Sequence, residues 1–114
     1  MDKQIDNNSL LDFQNSIHEW ASSTFPGQSV ESKIKHLKTE VLELEAAPSD
    51  GEEMADCFIL LASIASEANI NLAEVSWAKL EKNKTRVWSE PDADGIRRHL
   101  DTDSSTASKL VDEF

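Results

Sequence analysis

The chain has no tyrosine, one cysteine, three glycines and three prolines among its 114 residues. A lone Cys57 excludes an internal disulfide and fits a reducing compartment. Glycine is too sparse for a Gly-rich phosphate loop, and no internal repeat is present. Positive charge is scarce too: 11 Lys and Arg stand against 22 Asp and Glu, a net charge of −11 at pH 7. That balance argues against a general nucleic-acid or anionic-membrane binder. It leaves room for a phosphate substrate, because metal ions and a local basic strip can reverse the field at one site. The most apolar stretch, Cys57 to Ala65, is too short to span a bilayer. The opening Met1-Asp2-Lys3-Gln4 carries no hydrophobic signal region, so a cytoplasmic location is expected.

What is present is helical periodicity. Residues 1–8 are polar and read as a flexible N-terminus. Ser9 is placed to cap a first helix running to about Thr24, with Leu10, Phe13, Ile17, Trp20 and Ala21 on one face. Pro26-Gly27 ends it. Ser29 caps a second, striped by Ile34, Leu37, Val41 and Leu44. After the Ala47-Pro48 break, Ser49 and Glu52 form the pattern of a capping box for a third helix. It carries Met54, Phe58, Leu61, Ala65 and Ala68. Asn71 with Glu74 opens a fourth, packed through Leu72, Val75, Ala78 and Leu80 and running to about Trp88. Residues 90–95 are a loop, and Ile96 to Leu100 suit one last helical turn. From Asp101 to Phe114 the chain is an acidic, Ser/Thr-rich tail of the mobile type. The expectation is one all-α domain over residues 9–100, of four main helices. Its 39% hydrophobic content is modest for a lone core, which points to burial against a partner chain.

Two acidic pairs stand out. Glu40-Val41-Leu42-Glu43 reads E-x-x-E, and Glu53-Met54-Ala55-Asp56 reads E-x-x-D. Glu43 and Glu53 are each five residues from Pro48, and Glu40 and Asp56 each eight. Folded back as a helical hairpin, the four carboxylates meet at matched heights, each pair at the edge of its apolar stripe. Half-buried acids so crowded need compensation, and Mg²⁺ or Mn²⁺, with oxygen ligands and exchangeable waters, suits the role. From spacing alone, a solvated acidic helix face remains the alternative.

Lys79, Asn83 and Arg86 follow at +4 and +3, the densest basic strip in the chain, with Lys82, Lys84 and Trp88 beside it. Such cations suit phosphate, and they equally complement the C-terminal end of a helix dipole. His18, His36 and His99 share no metal-ligand spacing with Cys57 or each other, which argues against zinc. His18 and Trp20 sit where the first helix can cover the acidic hairpin and offer an aromatic wall to a base. Asp92, Asp94 and Gly95 lack the ligand series of a calcium loop and read as a turn.

Taken in order, residues 36–44, 52–56 and 78–88 resemble the MazG-like all-α nucleoside triphosphate pyrophosphohydrolases. The resemblance runs from about Phe13 to Leu100. The closing run from Trp88 to Gly95 is similar to the branch of dATP/dGTP diphosphohydrolases, the MazZ type. Thr39 stands where many members carry a further Glu, and the stretch between the acidic motifs is short. The resemblance implies a helical bundle completed by dimerisation, often as a dimer of dimers. It implies hydrolysis of a nucleoside triphosphate, here a purine deoxynucleotide, to monophosphate and pyrophosphate in a bacterial or phage-infected cell. It assigns Glu40, Glu43, Glu53 and Asp56 to Mg²⁺ or Mn²⁺; Glu40 or Glu43 is then the expected acceptor of the attacking water's proton. It assigns Lys79, Asn83 and Arg86 to phosphate and His18 and Trp20 to the nucleotide. Two other readings use the same residues: a phosphoribosyl-ATP pyrophosphohydrolase, and a non-catalytic helical interaction module.

Overall fold

A computed structural model describes residues 7–100. The elements run α1 (Asn7–Thr24), α2 (Val30–Ala46), α3 (Gly51–Glu67), α4 (Leu72–Lys84), β1 (Val87–Trp88) and β2 (His99–Leu100). The expected tail from Asp101, and residues 1–6 of the expected N-terminal segment, lie outside the described residues. The chain divides into two compact units, Met1–Val75 and Ser76–Phe114.

In the first unit α3 packs against both α1 and α2. Helix α1 begins at Asn7, two residues before the expected cap at Ser9. Three successive cap-type residues, Asn7, Asn8 and Ser9, allow several starts on sequence grounds. Ser29 caps α2 as expected, in a reciprocal box with Ser32: the Ser32 N–H donates to Ser29 Oγ (3.1 Å), and the Ser29 N–H to Ser32 Oγ (3.0 Å). The cap of α3 is Asp50 rather than Ser49, its carboxylate accepting the Glu52 N–H at 2.9 Å. Ser49 is still inside the turn that the Asp50 N–H closes onto the Ala47 carbonyl. Asn71 accepts the Glu74 N–H at 3.1 Å and opens α4 as expected.

Between α3 and α4 the chain turns through Asn69, in the left-handed region at φ 60°. The Ile70 N–H reaches back to the Ala65 carbonyl and the Asn69 N–H to that of Ser66, a paired C-terminal cap. Gln14 of α1 locks this turn. It is 4% exposed, donates to the Ile70 carbonyl (2.7 Å) and Ser66 Oγ (3.0 Å), and accepts the Leu72 N–H (2.9 Å).

The fully enclosed apolar residues of this unit are small apart from Ile17: Ala21, Ala62, Ala65 and Ala73. Several positions expected on buried stripes are open. Phe13, Ile34, Val41, Met54, Phe58, Leu61 and Val75 are exposed, and Phe13 and Phe58 stack at 5.9 Å. Three helices of this length cannot close over their own apolar faces.

In the second unit, α4 ends at Lys84, four residues before the expected Trp88. The Thr85 hydroxyl donates to the Lys82 carbonyl at 2.8 Å, and the backbone tightens there. Val87 and Trp88 then pair antiparallel with Leu100 and His99. Ile96–Leu100 therefore supplies a strand end rather than a helical turn, and Arg86 lies beyond the helix rather than on its face. Asp92 organises the intervening turn, as expected of that cluster. Its Oδ1 accepts the Asp94 (2.9 Å) and Ile96 (3.0 Å) N–H groups, and its Oδ2 takes Arg98 Nη1 at 2.8 Å. Among the described residues no single helix is long and apolar enough to cross a membrane.

Candidate active site

The short turn at residues 47–50 folds α3 back along α2 and brings the two acidic motifs together. One carboxylate oxygen from each of Glu40, Glu43 and Glu53 lies within 4.8 Å of the others. Asp56, one turn beyond Glu53, is not in that tight trio. It borders, with Glu40, the cleft lined by Trp20.

Three ionised carboxylates this close repel. Glu40 is pushed above its ordinary 4.5, first by hydrogen bonding to the Glu43 carboxyl, then by burial, then by the charges of Glu43, Asp56 and Glu53. Ionised, both groups only accept, so the Glu40–Glu43 bond exists when one of the two holds a proton. Glu53 is raised first by burial and then by Glu43, Asp50, Asp56 and Glu52. The Cys57 thiol behind them is raised by burial and by the four acids, so it stays protonated and is no nucleophile.

Glu40 is the innermost acid, its side chain 14% exposed. Its Oε1 lies 3.3 Å from His36 Nε2, one turn earlier on α2. Its Oε2 is buried with no hydrogen-bond partner. A buried, unpartnered, negatively charged oxygen is costly in any folded protein. A hard divalent cation removes that cost, since it takes carboxylate oxygens in the number and closeness found here. The trio thus fits Mg²⁺ or Mn²⁺ on its own geometry.

Beside the acids is a cleft of about 180 Å³ that reaches Glu40 and Asp56. Its walls are apolar, from Ile17 and Ala21 of α1, Phe25, and Ile59 and Leu60 of α3. Trp20 lines it, half open to solvent, with its ring edge-on to Phe25 at 5.3 Å. Polar groups reach it at Gln28, His36 and Ser63.

Of the sequence-derived candidates, Glu40, Asp56 and Trp20 meet at this cleft, and Glu43 and Glu53 join Glu40. His18 is not part of the cleft wall, and its Nδ1 is buried without a partner. Residues two apart on a helix point to different sides, so His18 and Trp20 do not share a face. Lys79, Asn83 and Arg86 belong to the second unit, where Arg86 Nη1 donates to Asn83 Oδ1 at 3.3 Å and the buried Asn83 carbonyl takes Trp88 Nε1 at 3.0 Å. Sequence reasoning missed His36, Gln28, Ser63 and the buried Lys33. Only His36 had a readable signal, its i,i+4 spacing to Glu40.

This all-α chain, with carboxylates converging from consecutive helices beside an aromatic-walled cleft, has the MazG-like fold. The sequence model of the dATP/dGTP pyrophosphohydrolase family matches residues 13–106, and the chain belongs to that family. It is 38% identical over 92 residues to a dATP/dGTP diphosphohydrolase of Salmonella phage PMBT28, covering 80% of this chain and 31% of that protein. It is 30% identical over 93 residues to the dATP/dGTP diphosphohydrolase of cyanophage S-2L, covering 80% of this chain and 88% of that protein. The chain therefore spans less than a third of the Salmonella phage relative and most of the cyanophage one. Among solved structures, the S-2L MazG-like pyrophosphohydrolase bound to dGDP and three catalytic Mn²⁺ ions per active site is similar, with a TM-score of 0.73 and 29% identity. That match covers 81% of this chain and 97% of that one.

Proposed function

We propose that this chain is a Mg²⁺- or Mn²⁺-dependent pyrophosphohydrolase of purine deoxynucleoside triphosphates, dGTP or dATP, releasing the monophosphate and pyrophosphate. The observation that carries this reading is the convergence of Glu40, Glu43 and Glu53, with the buried orphan oxygen of Glu40, beside a cleft walled by Trp20.

Glu40, Glu43, Glu53 and Asp56 hold the ions. When bound, such ions neutralise the triphosphate and acidify a water for attack on phosphorus. Glu40 or Glu43 accepts the water's proton, a role that suits Glu40, whose proton affinity is raised by its acidic neighbours and by burial. Trp20 offers a stacking face to the base, whereas His18, on another side of the same helix, can reach a nucleotide only from outside this cleft. Lys79, Asn83 and Arg86 supply donors to the phosphate oxygens of the leaving group. The substrate places the enzyme in the cytoplasm of the host cell.

The exposed Val41, Leu42, Met54, Phe58 and Leu61 of α2 and α3 form the apolar surface on which a second copy completes the core. Light scattering of the purified chain checks this, with a dimer or tetramer expected and a monomer rejecting it.

The functional test is turnover of a nucleotide panel with Mg²⁺ or Mn²⁺, resolving monophosphate from diphosphate. Pyrophosphate from dGTP or dATP is expected. Orthophosphate release rejects the cleavage point, and preference for phosphoribosyl-ATP rejects the substrate class. A helical interaction module predicts no turnover and no thermal stabilisation by metal with nucleotide.

A further inference from the structure

Lys33 is 3% exposed, an unusual depth for an ammonium on a helix. Its Nζ lies 2.7 Å from Ser63 Oγ and 3.3 Å from Glu67 Oε1. An ammonium carries only donors, so in the first bond Ser63 Oγ must accept. Glu67 holds the charge in place and balances it. Ser63 keeps its own O–H, and among the described residues that proton has no acceptor. A helical serine ordinarily donates to the carbonyl one turn back. Ser63 is itself 3% exposed, yet it lines the cleft that holds Glu40, Asp56 and Trp20. Its place on the wall of that cleft lets the proton be offered there.

We infer that Ser63 is a specificity-determining hydrogen-bond donor to an acceptor atom on the substrate's base, and that Lys33 is the positioning residue that fixes it in the donor state. Placement along α3 selects the base. Ser63 lies seven residues, about 10 Å, beyond Asp56, with Ile59 and Leu60 between them on the cleft wall. Phosphates held by ions at Asp56 and Glu40 leave the far, apolar end of the cleft to the nucleobase. Purines offer ring nitrogens and, in guanine, a carbonyl as acceptors there. This assignment rests on the nucleotide reading of the cleft but not on hydrolysis.

The test is binding of dGMP and dAMP to the full chain, followed by Trp20 fluorescence, alongside turnover of the triphosphates. Ser63→Ala adds no bulk and suits a helix. It is expected to weaken binding of the preferred monophosphate about tenfold and to lower kcat/KM by the same factor. An analogue without the acceptor, either a 7-deaza purine or 2-aminopurine deoxynucleotide, should bind the wild type and Ser63→Ala equally. Lys33→Met should show the same analogue-dependent loss, while Ser63→Ala keeps the test open if Lys33→Met fails to fold. Unchanged binding by Ser63→Ala overturns the inference. So does an equal loss for the natural nucleotides and both analogues, which marks a merely structural role. A wild type that binds with this dependence on Ser63 but does not hydrolyse overturns the proposed activity alone. A wild type that hydrolyses, with Ser63→Ala indistinguishable from it, overturns the donor role alone.

Discussion

His36 and Glu40 face each other across one turn of α2, with Nε2 3.3 Å from Oε1, while Oε2 of the same carboxylate is buried and unpartnered. The histidine holds one oxygen, and an oxygen of the same carboxylate lies within 4.8 Å of those of Glu43 and Glu53. That is the arrangement of a ligand oriented by a neighbour that does not itself ligate.

His36→Ala should therefore weaken Mn²⁺ binding by roughly 10–100-fold, the scale of lost outer partners at metal sites. His36→Gln, which retains a donor, should lose less. Mn²⁺ titration followed by electron paramagnetic resonance measures this directly, with kcat at saturating metal expected to change less than the metal requirement.

The crowded acids set a stability signature. Glu40 and Glu53 hold protons more tightly when folded than at their ordinary 4.5. Above 4.5 the unfolded chain has released protons that the folded chain still binds, so metal-free stability falls as pH rises through the folded values. Glu40→Gln removes this repulsion and should raise the metal-free melting temperature at neutral pH. The same variant should lose stabilisation by Mn²⁺ and lose turnover by on the order of 10²-fold or more. Melting curves with and without Mn²⁺ check both halves, and a variant that melts lower without metal contradicts the origin assigned to the shift.

Gln14 predicts a purely structural defect. Gln14→Ala strands the Leu72 N–H and the Ile70 carbonyl. Two part-buried groups left unpaired cost roughly 1–3 kcal/mol. Urea unfolding measures the loss, and Mn²⁺ affinity at low temperature should remain within about twofold of wild type, since Gln14 touches none of the acids.

Asp92 carries the opposite titration to the acid cluster. It is held below its ordinary 3.8 chiefly by the Ile96 N–H, then by Arg98, with the Asp94 N–H adding to them. Its contribution to the turn is fully present above 3.8 and is lost as pH falls through the lower folded value. Asp92→Ala should speed amide exchange at Ser89, whose N–H donates to the Arg98 carbonyl at 2.8 Å, and at Val87 to Leu100 around it. Hydrogen exchange read by NMR tests this, with no change expected in α1 to α3.

The parts of this molecule written plainly in the chain are those whose physics is local. Ser29 and Asn71 cap helices because their side chains reach the N–H three residues on. The acidic pairs were legible because a three-residue spacing on each side of one turn survives any detail of packing. Asp50 escaped notice because Ser49 offers the same chemistry one position earlier, and only the turn hydrogen bond to Ala47 decides between them. Helical periodicity carries on into Val87-Trp88 because it cannot register their strand partners, Leu100 and His99, which lie 13 and 11 residues further along the chain.

By itself, then, the order of residues determined four helices, their breaks, and which acids would face each other across the residue 47–50 turn. Folding decided what those acids experience: that Glu40 goes deep and Asp56 stays open, that His36 braces one oxygen, and that Lys33 lies buried against Ser63. The physical reason is range. Capping and periodicity act over one or two turns of a helix, whereas burial, carboxylate repulsion and the aim of a hydroxyl depend on atoms brought close from 10 to 30 residues away.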